Sequence, residues 1–411
     1  MKWPWTRTAP GAGAANFETK HAGFGPLLAQ VGAHPRWMQR DAATLAREGY
    51  EQNPIVHRCV RLIADNGAAV PIVLYRGHGT ARIRLTEHPL LTLLRRPNPL
   101  QSGNRLVQEF LSYYLISGNA FMEHVGPEGR PPAELWVPRS DRMKVIPGRF
   151  GMPKGYVFNL GGAEKRWPAD EVTGTSPILH FRTYHPTDDW YGLAPIAAAA
   201  FAVDQHNAAS SWNFHLLKNG GRPSGAFMFE PADGAAGLTE EQVAEIKAQI
   251  ADENAGAANA GRHLLLQGGW TYQALGFSAK DIDWSRGKEL SALEIAQVYE
   301  VPAPLLHLQG TMTYANFREA RLHLYEDAVL PLLKLMLAEL NNWLTPRFGD
   351  DLRLDYDEDA ISALAPRREA VWNRVQSADF LTINEQRDAV GFDPIADGDV
   401  LAASRRRPTK G

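Results

Sequence analysis

The sequence predicts a mixed α+β fold built from several units, with long helices after residue 190. Three observations predict it. Between Val70 and Arg182, short β-like runs alternate with stretches of helical spacing. Residues 194–219 carry an alanine-rich helical pattern that opens with Pro195 and closes at Gly220-Gly221. A second long pattern, 316–344, carries a proline, Pro331, in its interior.

Composition sets outer limits. A chain of 411 residues is long enough for roughly two to four domains. Hydrophobic content of 44% and charged content of 22% belong to a globular protein. The net charge of -3 shows no basic excess, which static gripping of nucleic acid would require. Cys59 is the one cysteine, so an intramolecular disulfide framework is excluded and a reducing compartment is expected. No apolar run reaches the roughly 18 residues of a membrane span. The opening MKWPWTRTAPGAGAANF lacks the apolar stretch of a secretion signal.

The elements follow in order. Residues 1–50 are rich in Gly, Ala and Pro with scattered Trp. They read as a loosely ordered arm docked through Trp3 and Trp5, or as a disordered terminus. Asn53-Pro54 starts organised structure, a capping side chain before a first-turn proline. Ile55, Cys59, Leu62 and Ile63 share one helical face, where Cys59 reads as a buried structural thiol. VPIVLY (70–75) is β-like and NRLVQEFLSYYLIS (104–117) is helical. NAFMEHV, ELWVP, MKVIP, GYVFNL and PILHFR then read as short strands.

The 194–219 helix, at a 1.5 Å rise, should extend roughly 36 Å, and its small side chains allow close approach of a neighbour. Residues 222–278 come next as a β-α-β-β unit. SGAFMF is a strand and LTEEQVAEIKAQI a helix with capping-box spacing, Thr239 to Gln242. HLLLQGG and WTYQALG form a hairpin around Gly268-Gly269, whose edges could pair with a neighbouring chain. The segment 251–261 between helix and hairpin is a surface loop. Residues 283–300 return as a helix with Leu290, Leu293 and Ala296 on one side. The C-terminal part holds two shorter helical patterns, from about Pro366 and from Thr382, which has capping-box spacing to Glu385. The tail SRRRPTKG is basic.

The stretch 301–331, VPAPLLHLQGTMTYANFREARLHLYEDAVLP, carries the functional signal. A proline-bracketed turn leads into Leu305-Leu306, then a Gly/Thr loop, then the proline-containing helix. Val301-Pro302-Ala303-Pro304-Leu305-Leu306 and Thr313-Tyr314-Ala315-Asn316 resemble the "VPp-llg…TYsN" segment of tailed-phage portal proteins of the HK97-like family, which includes prophage and gene transfer agent portals. RRPNP (95–99), SGNAF (117–121), YGLAPI (191–196), NGGRPSG (219–225) and LTINEQRDAVGFDP (381–394) match in the family's order.

That resemblance implies a portal fold and a ring oligomer. The mixed α/β wing would span 51–193, a first stem helix 194–221, a β-α-β-β clip 222–278 and a second stem helix 279–300. The channel loop and kinked wing helix would span 301–345, a helical crown 346–402 and a basic tail 403–411. About twelve copies would ring one capsid vertex, in a virion or phage-like particle assembled in the bacterial host cytoplasm. Double-stranded DNA would slide through without sequence preference, inward in packaging and outward in ejection. Terminase large subunit and a head–tail adaptor would dock on the clip, and major capsid or scaffold protein would surround the wing. No cofactor and no membrane are expected.

The loop Gln309, Gly310, Thr311, Met312, Thr313 and Tyr314 would line the channel. Small and polar side chains give weak, exchangeable contacts, which a sliding phosphate backbone needs. Arg318 and Arg321 would touch phosphates, or else pair with Glu319, Glu326 and Asp327. Pro331 removes a backbone donor and clashes with the preceding turn, so the helix should kink there.

Enzyme constellations are missing. The chain has no GxxxxGK[ST], HExxH, CxxC or GxSxG, and its 13 histidines show no ligand spacing. His57, His180 and His206 read as core or surface residues. Asp355, Asp357 and Asp359 open like a calcium loop, but Ala360 and Pro366 stand where Gly and Glu are required. That run, and Asp397-Gly398-Asp399, read as solvated acidic turns. Two other readings stay open: a magnesium-dependent DNA-processing enzyme using Asp355 and Asp357, and a structural capsid or adaptor protein without a channel.

Overall fold

The computed structural model describes residues 42–77, 82–127, 129–218, 225–229, 239–245, 270–274, 284–308, 314–392 and 395–401. The chain divides at residue 37, and all described residues belong to the second unit, Met38–Gly411.

Helix α1 (Pro54–Ala69) starts as its sequence predicts. The Asn53 side chain accepts hydrogen bonds from the Ile55 and Val56 N–H groups at its first turn. Val56, Cys59, Val60, Ile63 and Ala64 form its buried face. Helix α2 (Pro89–Arg95) is capped by His88 and went unread in the sequence. Helix α3 (Gly103–Ser117) lies against α1. A Cβ on Gly67 of α1 would stand 2.8 Å from Leu111 of α3, so the two helices meet where one lacks a side chain. Packed structure begins earlier than Asn53. Residues 45–51 form a π-helical turn in which Leu45 is buried, and Gly49 abuts Ile196. The expected arm, 1–50, is therefore helical at its C-terminal end. Its π geometry breaks the 3.6-residue period that would reveal it.

Eleven described strands form small antiparallel sheets. β1 (Ile72–Arg76) pairs with β2 (Ile83–Leu85); β3 (Asn119–Val125) pairs with β4 (Glu134–Trp136) and with a later strand. β5 (Met143–Ile146), β6 (Gly155–Leu160) and β7 (Ala163–Pro168) form a third sheet in that order. β8 (Ile178–Arg182) is the second partner of β3. β7 was missed in the sequence because only Trp167 of its six residues is buried. Phe121, Met143, Val145, Tyr156, Trp167 and Ile178 make a satellite core beneath it, apart from the main core.

Glycines at 118 and 192 lock the end of α3 to the segment that opens the helical stretch at Pro195. Gly118 ends α3 at φ +71, and an added Cβ would lie 2.6 Å from the Leu193 backbone. A Cβ on Gly192 would lie 2.2 Å from the Gly118 carbonyl. Asn119 stitches the contact: its Oδ1 accepts from the Gly192 N–H at 2.8 Å and from His180 Nε2 at 3.0 Å. Its amide donates to the Ser117 and Gly192 carbonyls. The distant SGNAF and YGLAPI motifs are two sides of one junction.

From that junction the long helix departs, as two pieces. α4 (Pro195–Ala198) is separated from α5 (Ala200–Lys218) by a turn at Ala199. Residues 197–200 are all alanine, so side-chain periodicity carries no trace of the break. α6 (Trp284–Val298) packs on α5, and its Ser291, Ala292, Ile295 and Ala296 are buried. Of the three residues expected on one side, Ala296 is buried while Leu290 and Leu293 are exposed in the subunit. Small residues let the helix backbones approach, and Ser291 Oγ reaches Gln205 Oε1 at 3.4 Å. His206 is buried on α5, 3.3 Å from the Asn53 amide. Burial, followed by nearby Lys288, lowers its pKa to about 4.

Between these helices β9 (Gly225–Phe229) pairs with β10 (Trp270–Ala274), Trp270 opposite Phe229. Thr239 and Gln242 bond reciprocally as a capping box. The strand at 263–269, its turn at Gly268-Gly269, the 251–261 loop, the stem pattern's last residues 219–221 and residues 222–224 lie outside the described residues.

The remaining helices are α7 (Tyr314–His323), α8 (Leu330–Trp343), α9 (Ala365–Ser377) and α10 (Ile383–Ala389). The last carries the predicted Thr382–Glu385 capping box. β11 (Leu352–Tyr356) joins β1, Leu354 opposite Leu74, giving the order β11-β1-β2. Residues 352–356, expected within the crown, thus share a sheet with β1 and β2. Asn341 of α8 holds the strand, donating to the Leu354 carbonyl and accepting its N–H.

Candidate functional site

The segment expected to line a channel springs from two fixed ends. Upstream, Val301 is buried and its N–H bonds to the Ala296 carbonyl at 2.9 Å. The VPAPLL run then turns through a 3-10 helix, Ala303–Leu306, with Leu305 in the core. His307 ends that turn at φ +54, a left-handed conformation. Downstream, α7 begins at Tyr314. The His307 and Phe317 rings stack at 6.3 Å and 17°, closing the base from both sides. Gln309, Gly310, Thr311, Met312 and Thr313 lie outside the described residues. The sequence reading missed His307; an aromatic residue on each side of a Gly/Thr loop is the signal that identifies it.

Arg318 and Arg321 are exposed on α7. The acids considered as their partners lie beside other side chains. His323 sits 3.8 Å from Glu319 and 3.3 Å from Asp327, and Arg367 of α9 pairs with Glu326. Arg321 lies beside Tyr325, whose hydroxyl donates to Asn66 on α1. Burial raises the Tyr325 pKa, and Arg321 opposes that rise.

Between α7 and α8 the backbone widens into a π-helical turn, Leu324–Val329. The Leu330 N–H reaches back five residues to the Tyr325 carbonyl. Pro331 is the second residue of α8, directly after that turn. A proline is compatible there because the preceding widened turn does not demand its missing N–H. Leu324, Tyr325, Ala328 and Val329 bury the turn against the core. An open cleft of about 610 Å³ runs beside it, lined by Gln297, Glu300, Pro302, Glu326, Asp327 and Pro331.

The acidic run that could have supported an enzyme is used otherwise. Arg84 pairs with Asp357 at 2.8 Å, Arg82 stands 3.9 Å from Asp355, and Arg368 is 3.1 Å from Asp359. Asp357 also caps a 3-10 turn by accepting the Asp359 N–H. Three carboxylates each turned to a different arginine do not converge on one point. Among the described residues, no three His, Cys, Asp or Glu side chains could jointly hold a metal. Among the same residues, no helix is long and apolar enough to cross a membrane.

The fold is shared with solved particle necks. The neck of an empty gene transfer agent particle, computed with C6 symmetry, has 42% identity and a TM-score of 0.68, covering 90% of this chain and 98% of that one. The neck of the native particle, computed with C12 symmetry, gives 40% and 0.66 over 89% and 98%. A Rickettsia bellii protein is 36% identical over 354 residues, 86% of this chain and 90% of its own. The portal protein of Enterobacteria phage HK97 is 24% identical, over 84% and 80% respectively. Residues 54–391 match the model of the phage portal protein family. The chain belongs to that family.

Proposed function

We infer that this portal protein forms the conduit for double-stranded DNA at one vertex of a phage-like particle, as a ring of twelve copies. The observation that carries the reading is the 40% match, over 89% of this chain and 98% of that one, to a chain in the neck of a native gene transfer agent particle computed with C12 symmetry. The stronger identity to gene transfer agent necks than to the HK97 portal favours a gene transfer particle. Loops 309–314 from all copies ring the DNA, while Arg318 and Arg321 face the passing phosphates. The π-helical turn before Pro331 is the joint at which each loop and α7 shift. Terminase large subunit, then a head–tail adaptor, dock on the 222–278 unit, and capsid or scaffold protein surrounds the wing. The chain supplies geometry and performs no catalytic step or cofactor chemistry of its own.

Replacing 309–314 by a short Gly/Ser linker tests the loop. Rings should still form, with packaging or DNA retention impaired. Normal packaging and retention would refute the loop assignment. Closed rings without a hole wide enough for the roughly 20 Å duplex would refute the conduit.

A further inference from the structure

The wide turn between α7 and α8 is favoured by the spacing of its buried residues. Ala320, Leu324 and Ala328 form one row, and Tyr325, Val329 and Leu333 a second, each advancing by four. In an α-helix a step of four overshoots a full turn by ~40°, so two steps carry a row ~80° away from the core. A π-helical turn, Leu324–Val329, widens the helix there and keeps both rows inward. Apolar burial is non-directional, however, and does not by itself fix the register in which α7 leaves the turn.

A directional bond supplies what burial lacks. Tyr325 is 7% exposed, and its hydroxyl donates to Asn66 Oδ1 on α1 at 3.0 Å. Asn66 is itself held, because its amide donates to the Leu62 carbonyl one turn back, at 2.6 Å. α1 packs on α3 as well as on the turn, so this anchor belongs to the main core. From the other side, Arg321 of α7 bonds to the same phenol. A guanidinium has donors enough for a phosphate besides. One hydroxyl therefore joins the core helix, the turn and α7. Its leverage is large. If the turn tightened to α geometry, one residue would leave it, and α7 would rotate by ~100° and shift by ~1.5 Å against α8. Arg318 and Arg321 would then face another way.

Resting on the joint assigned above, we propose that Tyr325 is a positioning residue for the channel: its hydroxyl on Asn66 holds the turn wide, and so fixes the register in which α7 presents Arg318, Arg321 and the 309–314 loop. The joint is then latched by one hydrogen bond to α1, and α7 moves when that bond opens.

Hydrogen exchange on the full chain tests this, with Tyr325→Phe, Asn66→Ala and the double variant beside the unaltered protein. Phenylalanine keeps the packing and removes only the hydroxyl. In each variant, amides of 316–323 should exchange ~5–10-fold faster, the effect of one hydrogen bond lost from a local opening, while those of α1 and of 334–343 keep their rates. The double variant should exchange no faster than either single one, because both break the same bond. Ring yield should be unchanged, and particles carrying Tyr325→Phe should retain less DNA. Loss of protection by the same factor in α1, α7 and α8 would mark an ordinary stabilising contact and overturn the proposal. Unchanged exchange in α7 would also overturn it, and would leave the loop reading standing if the 309–314 linker variant still loses DNA. Normal retention in that linker variant would instead refute the loop reading, with the α7 exchange rates still deciding the latch.

Discussion

Asn119→Ala should cost the isolated subunit about 4 kcal/mol, a large loss for truncating one buried polar side chain. The side chain makes four hydrogen bonds, and its two bonds to Gly192 are buried. Alanine strands the Gly192 N–H and the His180 Nε2–H without an acceptor. Each buried group left unmade costs about 1–3 kcal/mol. Water cannot easily replace them, because the Gly118 and Gly192 backbones meet too closely to admit a Cβ. The assay is urea unfolding of unassembled protein, since ring formation would add concentration-dependent stability. The same variant should also lower ring yield, because this junction fixes where Pro195 launches the stem. A loss below about 1 kcal/mol would show that the network is not holding wing to stem.

Three further outcomes are expected of the same structure. Burial, with Arg182 adding to it, lowers the His180 pKa to about 3, so the folded state keeps this ring neutral well below the unfolded value. Unfolding then takes up a proton between pH ~6 and ~4, and stability should fall with pH there by up to ~1.4 kcal/mol per unit from this residue; His180→Gln should flatten that slope in urea titrations. Cys59 should resist maleimide in the native protein and react only on unfolding, because it is fully buried with its thiol shifted to about 12. The Asp355→Ala/Asp357→Ala double variant should lose about 1–3 kcal/mol, from two partly exposed ion pairs and the cap that Asp357 places on the Asp359 N–H. Any magnesium-dependent DNA cleavage abolished by that pair would revive an enzymatic reading.

Legibility in the sequence tracked the strength of local signals. Asn53-Pro54, Thr239–Gln242 and Thr382–Glu385 announce helix starts by side chains that bond their own backbone, and all three form. Strands with an apolar inner row were legible, from Ile72–Arg76 to Ile178–Arg182. The failures depended on distant partners. β11 is five residues whose membership in the wing sheet is decided by β1, nearly three hundred positions upstream. Which side of α6 is buried was not legible without the neighbour; in the subunit Ser291, Ala292 and Ala296 are buried, and Leu290 and Leu293 are exposed. The π-helical turns at 45–51 and 324–329 have no 3.6-residue period to read.

The motifs that disclose the family are mostly not the ones proposed to touch DNA. Asn98 of RRPNP is buried and ties its turn to the Leu135 carbonyl. Gly118 and Asn119 of SGNAF close on Gly192 of YGLAPI. Asn384 of LTINEQRDAVGFDP holds Ile395 and Asp399 with one amide, and a Cβ on Gly398 would strike that amide at 2.1 Å. Each is a turn whose glycine or amide permits one backbone approach and no other. Sliding DNA asks little of side-chain identity but much of where the loops stand. A conduit built this way concentrates its sequence constraint in the joints that aim the helices and leaves the channel surface comparatively free to vary. Substitutions at Gly118, Gly192 or Asn384 should accordingly harm assembly more than substitutions within 309–313, and a deep mutational scan scored for ring yield would expose the reverse ranking if the argument is wrong.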